Sequence, residues 1–144
     1  MSILCDLFVG TRDEALAYAN SPAAEQAGLG QQMLLRSFNG LTSLEFGTLW
    51  AILEEQEWDP DRHELADVEI DDGADVWLSQ FPEEYVELLA GYDADALFDA
   101  AQTWSETEEL MSNVDTTLPV LRALVELANE AIAQRKGLYV WGSL

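Results

Sequence analysis

Leu118, Leu121, Val125, Ala128 and Ile132 recur at the three- and four-residue spacing of one helix face, flanked by Leu124 and Leu127. Pro119 near the start, Arg135 and Lys136 in the final turn and Gly137 just past it bracket a helix from Leu118 to about Lys136. A stripe this long and apolar has to cross a core. The residues after it, LYVWGSL, are aromatic and β-branched and read as a strand that the helix can pack on.

The rest of the chain repeats this mixture. SILCDLFV (residues 2–9) reads as a strand, and after Gly10 the capping box of Thr11 and Glu14 opens a helix that Asn20-Ser21-Pro22 closes. AAEQAGLGQ has the small, polar composition of a loop, and QMLLRSF reads as a second strand ended by Asn39-Gly40. Thr42 and Glu45 form a second capping box. Phe46, Leu49, Trp50 and Leu53 give its helix one apolar stripe, and Asp59-Pro60 is the expected stop, because the residue before proline avoids helical geometry. FPEEYVELLAGYD places Pro82, Glu83 and Glu84 at a helix start. Ala94, Leu97, Phe98, Ala101 and Trp104 predict the buried stripe of the next helix, and Ser105 with Glu108 the cap of a short restart. The order is strand, helix, strand, helix, two short strands, three helices, strand. It predicts a single α+β domain over residues 1–144: a small mixed sheet with about five helices packed on it as one pair of layers around one core. At 144 residues the chain is long enough to bury roughly two thirds of its unfolded surface.

Between the helices lies ELADVEIDDGAD (residues 64–75), six acids threaded with apolar residues. Alternation turns Asp67, Glu69 and Asp71 to one side and Ala66, Val68 and Ile70 to the other, as in a strand with one wet face; Asp72-Gly73 is a turn, and ADVWL is a returning strand or a short helix. The acids extend well beyond this stretch. From Glu54 to Asp115, 62 residues hold 21 of the 28 acids and one basic residue, Arg62, in a chain of formal charge -22. Such a surface repels phosphate backbones, which disfavours direct binding to nucleic acid or to an anionic membrane.

Known chemistries fit this pattern poorly. An EF-hand calcium loop with Gly73 at its sixth position would begin on Val68 with Ile70 third; begun on Asp67 it puts Asp72 where glycine belongs and Leu78 at the twelfth position. Zinc sites need clusters of His and Cys, and the chain has one of each, His63 and Cys5. His63 in DPDRHEL reads as a solvated loop histidine among carboxylates that favour its charged form, and Cys5 as a small core residue. GxSxG, GxGxxG and GxxxxGK[ST] are all missing. No catalytic residue, metal ligand or cofactor is expected from these signals. MSILCD lacks the basic region and long apolar run of a signal peptide, so a cytosolic protein without a membrane span is expected.

Of the five tryptophans, Trp50, Trp104 and Trp141 fall on apolar patterns, whereas Trp58 and Trp77 border the acidic segment. The candidate binding residues are therefore Asp67, Glu69, Asp71, Asp72 and Asp75, with Trp58 and Trp77 as aromatic anchors, and the expected partner is a basic protein surface. Immunity proteins, inhibitors and nucleic-acid mimics share this logic. A carboxylate- or divalent-ion-dependent enzyme with a pocket between sheet and helices is the alternative. Another is a structural homodimer, with an exposed strand edge at LYVWGSL as its sign.

LTSLEFGTLWAILEEQEWD, WSETEEL and LYVWGSL resemble segments of small uncharacterised bacterial proteins, and the run from FPEEYVELLAGYDADAL to the end is similar in layout to YfbM-like proteins. The resemblance covers about the C-terminal half and rests on packing residues. It implies an α+β fold and a bacterial source, and no activity.

Overall fold

A computed structural model describes residues 4–21, 25–26, 28–29, 33–70, 76–107, 110 and 112–143. Among them are five strands, β1 (Leu4–Gly10), β2 (Leu35–Asn39), β3 (Ala66–Val68), β4 (Val76–Gln80) and β5 (Gly137–Ser143). Five α-helices accompany them: α1 (Arg12–Asn20), α2 (Ser43–Leu53), α3 (Glu83–Ala90), α4 (Leu97–Ser105) and α5 (Val114–Gln134). The fold is α+β, as the pattern of elements predicts. Residues 25, 26, 28 and 29 are helical inside the stretch read as a loop.

The sheet runs β2-β1-β5-β4-β3, and every pairing is antiparallel rather than mixed. β5, the last strand in sequence, lies at the centre of the sheet. Its apolar run follows from that position, since both faces are covered. Leu138 and Val140 join Cys5, Leu7 and Val9 of β1 under helices α2 to α5, while Tyr139 and Trp141 join Phe8, Val68 and Leu78 on the face covered by α1. Three layers thus replace the expected two. The strand edge sought at LYVWGSL as the sign of a dimer is paired on both sides, and the sheet's edges are β2 and β3.

Local chemistry explains most boundaries. The Thr11 N–H donates to Glu14 Oε1 at 2.9 Å and the Glu14 N–H to Thr11 Oγ1 at 3.1 Å, closing the box that starts α1. Tyr18 then ties α1 to the sheet through a 2.5 Å bond from its hydroxyl to Asp6. At α2 the Thr42 N–H donates to Glu45 Oε2 at 3.0 Å. Ser105 ends α4 and its hydroxyl donates to the Gln102 carbonyl; Glu108, the other half of the third predicted box, lies outside the described residues. Asn113 caps α5 instead, accepting from the Thr116 N–H at 3.1 Å, so α5 starts a turn before Leu118.

The buried faces of α4 and α5 are rotated from the predicted stripes. Phe98 and Ile132 are about half exposed, while Ala100, Ala101, Val120, Ala123, Leu124, Leu127 and Ala131 are buried. Small side chains let these helices approach closely enough for the Thr117 hydroxyl to donate to the Ala101 carbonyl at 2.9 Å.

Burial pushes the Cys5 thiol up to about 12, with Asp6 adding to the effect, so it is a packing residue without thiolate reactivity at neutral pH. Tyr85, fully buried, donates its hydroxyl to the Phe46 carbonyl at 2.6 Å. Tyr85→Phe is expected to cost about 1 kcal/mol, the net value of one such bond, read as a lower urea midpoint with an unchanged denaturant slope. No helix among the described residues is long and apolar enough to cross a membrane.

Candidate functional site

The acidic segment starts where α2 stops. That stop is Glu55, in the left-handed conformation (φ 58°), rather than Asp59-Pro60. The Gln56 N–H reaches back to the Ala51 carbonyl and the Glu55 N–H to Ile52, both at 3.0 Å, the pair of bonds of a Schellman motif. The chain leaves the helix at a sharp angle and enters the loop 54–65.

His63 organises that loop. It is buried, contrary to the solvated histidine expected from its neighbours. Its Nδ1 accepts the Asp59 N–H at 3.0 Å, so a neutral ring carries its proton on Nε2, which donates to Glu54 Oε1 at 2.8 Å. The His63 N–H also donates to the Asp59 carbonyl at 2.7 Å, and the ring stands edge-on to Trp50, centroids 5.4 Å apart. Arg62 completes the clip. Its Nη2 and Nε hold the Glu54 carboxylate at 2.6 and 3.2 Å, and its guanidinium lies 5.7 Å from the centre of the Trp50 ring. The two Arg62 bonds hold the Glu54 carboxyl below its ordinary range; its partial burial acts the other way, and the bond from His63 lowers it further. Trp50 stacks on Tyr85 at 5.0 Å, which anchors the whole arrangement in the core.

With Arg62 occupied internally, the loop shows carboxylates to solvent. Glu57, Asp59, Asp61 and Glu64 are exposed, and Trp58 stands among them with 41% of its surface accessible. Across from them Glu84, in the first turn of α3, comes to 4.0 Å from Arg62. The predicted residues Asp67 and Glu69 continue this face: both are exposed, Asp67 in the three-residue edge strand β3 and Glu69 just past it, outside the strand its alternation predicts. Charges on so short an edge also oppose pairing with another sheet. Asp71, Asp72 and Asp75 lie outside the described residues.

Trp77 is placed differently from Trp58. It is half-buried in β4 with its indole across Gly142 of β5, where a Cβ would meet ring carbons at 2.1 Å. Trp77 packs the sheet, and Trp58 is the aromatic that the acidic face presents. Sequence reasoning missed Glu54 and His63; the motif that unites them, a Glu nine residues before a His across a helix end, has no periodicity to reveal it.

Among the described residues no three His, Cys, Asp or Glu side chains gather closely enough to hold a metal ion. The acids of the middle segment that are described are exposed, apart from the partly buried Glu54. Two of them, Glu83 and Glu87, line a cavity of about 480 Å³ between α3 and the end of α5. Comparison with protein-family models, with curated proteins and with solved structures found no match to this chain. The functional argument therefore rests on the geometry.

Proposed function

We propose that this protein acts by binding, presenting the face built on loop 54–65 to a basic protein surface. The observation that carries the reading is the clipped loop: Trp58 is held out among Glu57, Asp59, Asp61 and Glu64, while Arg62, the one cation of the segment, is tied to Glu54. Rigid presentation matters because a contact that orders nothing on docking keeps more of its interaction energy. An indole beside carboxylates suits arginine and lysine, which meet the charge of the acids and the face of the ring together. Inhibitors and immunity-type proteins that occupy the phosphate-binding surface of a nuclease would use such a face.

The test is capture from the source cell's lysate at low and high salt by the parent chain and by Trp58→Ala and Asp59→Lys/Asp61→Lys variants. The expected result is a basic protein whose retention falls with salt. Its complex should lose about tenfold in affinity with Trp58→Ala, mainly through faster dissociation, and should form more slowly with the charge-reversed variant. Retention of no basic protein, or binding indifferent to both variants and to salt, rejects the proposal.

A further inference from the structure

A cavity of different character lies along the same helix α3 whose first turn brings Glu84 close to Arg62. It is walled by the start of α3, the end of β4 and the final turn of α5, and encloses about 480 Å³, within the range of small-ligand pockets. Its floor is apolar: Phe81, Val86 and Ala131 are buried beneath it, and Ile132, 49% exposed, forms a wall. Glu83 and Glu87 stand one turn apart on α3, so both face the cavity from one side. Arg135 and Lys136 line it from the end of α5.

The charges on the two sides do not meet. Lys136 is paired with Glu14 of α1 at 3.1 Å. Among the described residues Arg135, Glu83 and Glu87 form no ion pair within 4.0 Å, although all three line one cavity. All three are exposed at the rim of the cavity, so their charges are solvated and open to a ligand that enters it. Arg135 also takes the left-handed conformation (φ 57°, ψ 43°) that ends α5, fixing where the chain departs from the helix.

From this arrangement we infer that the cavity binds a small zwitterion with an apolar body, an apolar amino acid or dipeptide. The ammonium group lies toward Glu83 and Glu87, the carboxylate toward Arg135, and the side chains over Ile132, Val86 and Phe81. The two charged ends of such a molecule complete the ion pairs that the pocket leaves open, and its apolar part covers the exposed face of Ile132.

Calorimetric titration with leucine, Leu-Leu, N-acetyl-Leu-Leu and Leu-Leu-amide tests the assignment. Saturable binding of leucine or Leu-Leu is expected, and the better of the two names the ligand size. Blocking either charged end of Leu-Leu should weaken binding about tenfold. Glu87→Gln should weaken Leu-Leu and leave its N-acetyl form unchanged, while Arg135→Gln should weaken Leu-Leu and leave the amide unchanged. Trp58→Ala, outside the lining of the cavity, should alter none of these values. Absence of saturable binding by leucine and Leu-Leu at millimolar concentration overturns the inference, as does affinity indifferent to both blocking groups; the blocked ligands decide the matter on the parent chain even if a variant misfolds.

Discussion

Gly47→Ala should destabilise the protein by about 2–3 kcal/mol, although alanine is ordinarily the better helix residue by roughly 0.5–1 kcal/mol. Gly47 lies inside α2, where the loop 54–65 folds back over the helix. A Cβ built there comes 2.3 Å from the backbone carbonyl oxygen of His63. The Trp58 indole nitrogen is 3.6 Å away, in ordinary contact. The obstruction is main chain, which cannot swing aside as the end of a long side chain would. His63 must therefore move as a unit, and its ring bonds to Asp59 and Glu54 move with it. Overpacking of a closed site costs about 1–3 kcal/mol, and the upper part of that range fits a clash with backbone. Chemical unfolding measures the loss. Gly91→Ala is the control, since its nearest neighbour, the Glu87 carbonyl oxygen, is 3.5 Å away and the expected change is within about 0.5 kcal/mol. A Gly47→Ala protein as stable as its parent would show that the loop does not rest on α2 as described.

Gly47 also marks the limit of what the sequence displays. Elements with local signals are legible: the apolar runs LCDLFV and LYVWGS are strands, and Thr11 with Glu14 starts a helix as a capping box should. Elements fixed by distant partners are not. The central place of β5 depends on β1 and β4, which come from the start and the middle of the chain. His63 sits among polar neighbours in DPDRHEL, and its burial comes from a carboxylate on the preceding helix end and a backbone N–H four residues back. Helix stops were read from Pro60 and Gly137, yet the left-handed residues that end α2 and α5 are Glu55 and Arg135, side chains with no strong preference for that conformation. In α4, Leu97, Ala100, Ala101 and Trp104 have the same spacing as a stripe through Phe98. The alanines are chosen because they admit α5, and Phe98 is left outside. Of the candidate site, the exposure of Asp67 and Glu69 is legible from their alternation, whereas the choice of Trp58 over Trp77 as the exposed indole, and the clip that holds its loop, are not.

That clip sets the second large effect. Glu54→Ala should lower stability by about 2–3 kcal/mol, because it strands the Nε2–H of His63, a donor whose side chain is 1% exposed, and frees Arg62 from the carboxylate that it grips. Glu54→Gln keeps the shape and an acceptor oxygen, so it isolates the charge. The sign of its pH dependence follows from the direction of the shift. The folded carboxyl is held below its ordinary value of 4.5, chiefly by Arg62, so near that pH the unfolded chain binds more protons at this position than the folded one. The stability contributed by the charge is complete above about 4.5 and is lost as pH falls through the lowered folded value. Parent and Glu54→Gln proteins should therefore differ most at neutral pH and converge in acid, on a background where protonation of the other carboxylates relieves the repulsion of a -22 chain in both alike. Urea midpoints taken from pH 7 downward give the difference directly. A gap that stays constant into acid would place the Glu54 charge outside the clip, and would remove the reason for Trp58 to be held in one position on the acidic face.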